Sequence, residues 1–382
     1  MFAGLFLSLF FMYFAQERLY NSLNNEGLTL GSERYLRILS VILIFVSSLF
    51  SLFLSKAKYH FSIYFCYLTL VIYVSLNYIF SGADPSNMTQ FMSTKGIGPW
   101  ICLGLIFVSY DTKRFESFKK FLFFSSIFIS LLAIVKMVES GVGLWRGQAL
   151  SQYRVYAVNL IWVAPYVFLM LKNKPKLRWL RLFSLIMGIV LALVIQTRSF
   201  LIIYLITILF DFFHTKNLQK YSIALIVGFI GFAYLVLNTC ILNDSMERLL
   251  NRGTDDTRSC HLMAFFSQLK FTELITGKGF FASYSKGGYT SSYLDNQWLY
   301  LFWWGGLIPV LTYFYLSALL PIKLILRGKM DYETQVECFV LILWVLALGG
   351  LAIYSTMSVD FFFFIISILQ GRVLFKYSLN SK

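Results

Sequence analysis

Apolar runs close to the ~20 residues needed to cross bilayer hydrocarbon recur along the whole chain, and they constrain its fold more than any other feature. They fall near residues 2–15, 36–55, 60–80, 97–110, 121–138, 156–171, 179–197, 199–213, 221–242, 298–320, 337–355 and 358–375. Twelve or so helices follow, joined by short charged connectors. The runs do not alternate, which argues against an outer-membrane barrel. Of 382 residues, 58% are hydrophobic and 13% charged, whereas soluble domains carry about one quarter charged residues. The sequence therefore predicts an all-α, polytopic integral membrane bundle. Residues 1–382 form one transmembrane domain, with residues 243–297 as a large loop between the ninth and tenth helices. Forty Phe and 24 Tyr suit lipid-facing helices with interfacial aromatic belts.

The net charge of +15 does not point to nucleic acid, because no soluble basic domain carries it. It sets topology instead. Lys56 and Lys58; Arg114, Lys119 and Lys120; Lys172, Lys174, Lys176 and Arg178; Lys216 and Lys220; Lys323, Arg327 and Lys329; and Arg372 and Lys376 of the tail fall on one side. The alternate connectors hold only Lys95, then Lys136, Arg146 and Arg154, then Arg198. The loop with Arg18, Arg34 and Arg37 opposes this slightly, but Glu17, Glu26 and Glu33 lie beside them. The first set is expected in the cytoplasm with both termini, and the long loop outside. The N-terminal run lacks a basic n-region and reads as a retained helix. Cys66, Cys102 and Cys338 lie in apolar runs, and Cys240 and Cys260 read as unpaired thiols, with no CxxC.

The polar island from Asn243 to Gln297 is the one long departure from the apolar pattern. From Thr257 the spacing of Leu262, Phe265, Phe266 and Leu269 is helical. Thr254 or Asp255 can cap this helix, and Gly277 is expected to end it. Arg258 sits at its N-terminus on the buried-facing stripe. There a cation and free backbone amides make an anion site; an ion pair to Asp255 or Asp256 is the simpler role. Arg248 and Arg252 are four apart, on one face of any helix. Asp295 precedes the next apolar run and reads as a cap, a base, or both. Tyr289 and Asn296 complete the island's candidate substrate-binding residues.

Two further places lie on the same face. Arg198 interrupts the apolar stretch from Trp179 to Phe213. An arginine at membrane depth costs on the order of 3 kcal/mol or more and marks a functional site by default; a tight hairpin whose arginine snorkels to the headgroups is the alternative. The connector Gly141-Val142-Gly143-Leu144-Trp145-Arg146-Gly147, continuing to Tyr153-Arg154-Val155-Tyr156, reads as an aromatic platform with two arginines, or as an ordinary interfacial belt. His60, His214 and His261 have no metal-ligand spacing. There is no P-loop, G-x-S-x-G or dinucleotide fingerprint, which argues against a nucleotide-sugar donor. The common thread is arginine on one side of the membrane, and guanidinium forks match phosphate oxygens bidentately. A lipid-linked diphosphate fits that geometry.

Across roughly residues 140–320 the chain resembles the O-antigen polymerase and ligase superfamily of bacterial envelope enzymes. The matching elements are Thr197-Arg198-Ser199, Asp256-Thr257-Arg258, Gly277-Lys278-Gly279-Phe280, and Asp295-Asn296 followed by Trp304-Gly305-Gly306. The loop with Arg146 and Arg154 also matches a polymerase-like position. The resemblance implies an inverting glycosyltransferase of lipopolysaccharide biosynthesis, in the bacterial inner membrane with a periplasmic active face, needing no cofactor and no essential metal. Its donor and acceptor would be glycans on undecaprenyl diphosphate, and a chain-length regulator protein would be a partner. Arg198 and Arg258 would hold the diphosphate and stabilise the leaving group. Asp295 would stand where ligases of the superfamily carry a histidine, which favours polymerase over ligase. A flippase is the other alternative, but a transporter should show broken helices in matching halves.

Overall fold

The structure, a computed structural model, describes residues 1–7, 9, 33–54, 59–82, 96–141, 146–214, 267–286, 289–291, 296–328, 330–351 and 361–380. These are overwhelmingly helical. Among the described residues seven helices are long and apolar enough to cross a membrane, an architecture consistent with a helical membrane protein. They are α2 (Phe61–Phe80), α4 (Thr112–Ser140), α5 (Arg146–Met170), α6 (Arg178–Val194), α10 (Leu307–Leu326), α11 (Tyr332–Leu346) and α12 (Phe361–Asn380). The other described helices include α1 (Glu33–Leu54), whose apolar part is Leu39–Phe53, α3 (Gly98–Cys102, continuing as a 3₁₀ helix Leu103–Tyr110) and α7 (Arg198–Phe213). The run 221–242 lies outside the described residues. Contacts divide the chain into two compact units: Met1–Ser8, Ile38–Phe118 and Asp255–Lys382; and Leu9–Arg37 and Lys119–Thr254.

In the first unit α12 is the core element, buried almost throughout. The 3₁₀ segment packs on it, buried from Leu103 to Ser109. Gly371 allows the approach, because a Cβ there would overlap the carbonyl of Ile106. Tyr59 Oη donates to that carbonyl at 2.9 Å, and Ser109 Oγ donates to Ile368 O at 2.5 Å. The apolar run 97–110 is thus core. By contrast α2 exposes Phe61, Phe65, Leu68, Ile72, Leu76 and Ile79 along one stripe and buries Ile63, Tyr67, Leu70, Val74 and Tyr78 on another. A stripe of that length is unfavourable in water and suits acyl chains. Glu337 of α11 is wholly buried, with Lys376 Nζ of α12 at 3.3 Å. Lys376 also donates to Thr334 Oγ1 at 2.6 Å and faces Asp331 at 3.7 Å. Burial raises the Asp331 carboxyl, but the Thr334 hydroxyl and the Lys376 charge outweigh it and hold it below the ordinary range.

The second unit packs α5 at its centre, with 89% of its spanning window buried. Ser126 of α4 and Ser184 of α6 share a hydrogen bond of 2.7 Å. Asp211 of α7 is wholly buried between Lys172 (3.1 Å) and Arg181 (2.5 Å). Lys172, Arg372 and Lys376, read from sequence as connector or tail charges, are therefore engaged inside the fold. Arg372 and Lys376 belong to a helix that runs to Asn380, not to a tail. A buried carboxylate needs a paired cation, because an unpaired one costs several kcal/mol.

Candidate active site

The described part of the island is bound into the first unit by a backbone clasp. Residues Glu273–Thr276 form a short helix, α8, and Gln297–Gly305 form α9. Between them a two-stranded hairpin pairs β1 (Tyr284–Lys286) with β2 (Tyr289–Ser291), in register Ser285 to Thr290. Lys278 N donates to Trp303 O at 2.8 Å and Gly279 N to Trp304 O at 3.0 Å. The two backbones approach so closely that a Cβ on Gly277 would overlap Trp304 O, and one on Gly306 would overlap Ile275 O. Both positions also have positive φ, 73° and 69°, which only glycine adopts cheaply. Phe280 stacks on Trp304 with ring centroids 4.0 Å apart. The two glycine motifs of the sequence are thus the two halves of one contact.

The clasp is tied to α2. Tyr73 Oη donates to Thr276 O and to Gly305 O, both at 2.9 Å. Asn77 Nδ2 donates to Thr276 O and Trp304 O, both at 3.3 Å, and Ser81 Oγ accepts from Phe280 N at 3.0 Å. Non-helical backbone packed between helices needs hydrogen-bond partners, and these three side chains supply them. Sequence reading passed over them; the signal was Tyr73 and Asn77 at i, i+4 inside an otherwise apolar run. Lys278, the cation of the turn, is engaged within the island. Its Nζ lies 4.5 Å from the Trp303 ring, 3.5 Å from Glu273 and 2.5 Å from Gln268 O. The amide of Lys270 and the charge of Lys278 hold the Glu273 carboxyl below its ordinary range.

Three expectations for this region are corrected. Gly277 does not end a helix running from Thr257. The described chain leaves the helix after Ser267, and Gly277 closes α8, where Glu273 reaches back to the amide of Lys270 at 2.8 Å in the manner of a capping box. The run 298–320 is not one helix, because Gly306 breaks it into α9 and α10. The cap of α9 is Asn296, one residue after Asp295: its side chain accepts from Leu299 N at 3.1 Å.

The break at Gly306 turns α9 back along α10. Gly305 lies against Pro309, whereas Trp298, at the other end of α9, meets Tyr313 and Phe314 at 5.7 and 5.9 Å. The N-terminus of α9 is therefore about 9 Å along α10 from Leu307, at 1.5 Å per residue. There Trp298 Nε1 donates to Val345 O and Asn296 Nδ2 to Gly349 O, both at 3.1 Å. Gly349 belongs to a π-helical turn, Ala347–Leu351, and such turns are frequent at functional sites.

In the second unit Arg198 begins α7. The connector from α6 is three residues, Ile195 to Thr197, with Gln196 at φ 54°. Thr197 N reaches back to Ala192 O at 3.1 Å, and Gln196 and Thr197 are buried while Arg198 is exposed. This is the tight-hairpin geometry. A cation on the first turn opposes the helix dipole, so it adds to the pull of that terminus on an anion. Arg146 and Arg154 do not lie in a loop: α5 begins at Arg146. Tyr153 and Tyr156 are wholly buried, and Tyr153 Oη donates to Gly141 O, so they are packing residues and not a platform. Arg154 is exposed.

Arg248, Arg252, Arg258 and Asp295 lie outside the described residues. Tyr289 is placed only as backbone in β2. Comparison with known protein families, with characterised proteins and with solved structures finds no match for this chain.

Proposed function

We propose that this chain is a lipid-linked glycan polymerase of the O-antigen type, an inverting glycosyltransferase that joins undecaprenyl-diphosphate-linked repeat units at the periplasmic face of the inner membrane. Twelve spans, cytoplasmic termini and an outward island are part of this proposal. The observation that carries it is α9, a half-helix whose capped N-terminus lies beside a π-helical turn partway along α10, with the clasp of the two resemblance motifs holding its other end. Half-helix N-termini at membrane depth suit anionic substrate groups, and a lipid diphosphate is such a group. Arg198 and Arg258 would hold the diphosphate and stabilise the departing charge. Asp295, next to the Asn296 cap, would take the acceptor proton. Arg146, Arg154, Arg248, Arg252, Tyr289 and Asn296 would bind the glycans.

The lipopolysaccharide ladder of a deletion strain tests this reading. Lipid A core bearing a single repeat, with the ladder restored by the wild-type chain and not by Arg258→Ala at equal protein level, is the expected result. Core without any repeat, with polymer left on the carrier, would mean ligation instead. An unchanged ladder on deletion would sink the reading.

A further inference from the structure

The turn at residues 271–272 and the short helix α8 that follows it each present one large apolar side chain outward. Phe271 is 80% exposed and Ile275, one turn later, is 52% exposed. In a loop standing in water, two large apolar side chains exposed in so short a segment are unexpected. The hydrogen bonds that hold α8 explain them. Thr276, which ends α8, is bound by Tyr73 and Asn77 of α2. These lie seven and three residues before Phe80, the last residue of α2, which is about 10 and 5 Å at 1.5 Å per residue. On the other side Ile275 O abuts Gly306, immediately before α10.

The end of α8 is therefore sunk below the end of α2. It is flanked by the exposed residues Ile72, Leu76 and Ile79 of α2, and by Leu307 and Leu311 of α10. Phe271 and Ile275 continue an apolar surface that two candidate spanning helices already present. Lys270 at the start of α8 is exposed, a position that suits a lipid phosphate.

We propose that α8 is a lipid-contacting element: Phe271 and Ile275 sit among acyl chains of the leaflet at the C-terminal end of α2. The island is then partly embedded, and its clasp lies at the depth of the lipid headgroups and upper chains. The inference rests on burial and hydrogen bonding in the first unit and is independent of the enzymatic reading.

Bimane attached to Phe271→Cys and Ile275→Cys in the full chain, reconstituted in bilayers, tests it, with the signal of the labelled native chain subtracted. Leu311→Cys is the lipid control and Ser283→Cys the aqueous one. The expected result is loss of fluorescence with brominated phospholipids, as at Leu311, and none with aqueous iodide. Quenching by iodide alone would place α8 in water and overturn the proposal. Quenching by neither reagent would mean that protein, a second copy or another partner, covers this face, and would overturn it as well. Since both side chains are exposed, their replacement leaves the fold intact; an unfolded variant would be quenched by iodide at Ser283 and at Leu311 alike.

Discussion

The glycine clasp and the Arg198 step are both tight turns at a helix end, yet their polar groups face opposite ways. At the clasp, the amides of Lys278 and Gly279 bond the carbonyls of Trp303 and Trp304, the carbonyls of Thr276, Trp304 and Gly305 and the amide of Phe280 are taken up by Tyr73, Asn77 and Ser81, and the one cation, Lys278, is engaged by Trp303 and Glu273. At the step, Gln196 and Thr197 are buried and the next residue, Arg198, projects out. The structure gives the two motifs different surroundings. The clasp is scaffold; the step offers a charge. Substitution in the clasp should act on folding, and substitution at the step on activity.

The largest effect is expected at Gly306. An alanine there meets φ 69° with ψ −159°, a region almost reserved to glycine and worth about 1–3 kcal/mol, and overlaps the Ile275 carbonyl, where forced overpacking adds about 1–3 kcal/mol. Gly306→Ala should lose most folded protein in detergent, read as the monodisperse fraction and the midpoint of thermal unfolding. A normal midpoint would mean that the two glycine motifs do not meet. Next come the side chains that satisfy the clasp. Asn77→Leu removes one of two donors from each of two carbonyls, since Thr276 O keeps Tyr73 Oη and Trp304 O keeps the amide of Gly279, and should cost about 0.5–1.5 kcal/mol. Tyr73→Phe also takes the donor from Gly305 O, at about 1–3 kcal/mol where no water replaces it, and the two variants together should be more than additive, since only the double variant strips both donors from Thr276 O.

Asn296 is a smaller case. Asn296→Ala removes the cap of α9 and should cost about 1 kcal/mol. Asn296→Asp keeps the acceptor for Leu299 N but loses the donor to Gly349 O. If the aspartate variant unfolds like wild type, the cap matters and the tie to the π-helical turn does not. If it follows the alanine variant, the tie carries the stability.

How much of this was legible depended on whether a signal was local. Apolar runs indicated helices, and Gly277 declared itself as a helix-ending residue. The meeting of Gly277 and Gly306 was not legible, because it joins residues nearly thirty apart through close approach alone. Nor was the role of Tyr73 and Asn77, which follows from carbonyls 199 to 232 residues away. The run 298–320 was misread as one helix because Gly305-Gly306 sits inside unbroken apolar sequence. Asp211 and Glu337 show the converse: the sequence placed Lys172 and Lys376 by sign, while their partners inside apolar helices fixed where they sit.

Arg198 is where the smallest stability effect should accompany a large functional one. It is exposed and follows a turn whose hydrogen bonds, Thr197 N to Ala192 O and Gln196 N to Leu193 O, come from other residues. Arg198→Ala should therefore leave the unfolding midpoint within about 0.5 kcal/mol of wild type, as surface substitutions do. On the proposed function it should nevertheless abolish long glycan chains. Arg198→Lys divides the possibilities further. It keeps the positive charge at the start of α7 but loses the planar fork that grips two phosphate oxygens. Short chains from the lysine variant, at normal protein level and midpoint, would assign the step to phosphate recognition. Full-length chains would reduce Arg198 to a headgroup-level anchor and leave the clasp and α9 as the part of the motif set that matters.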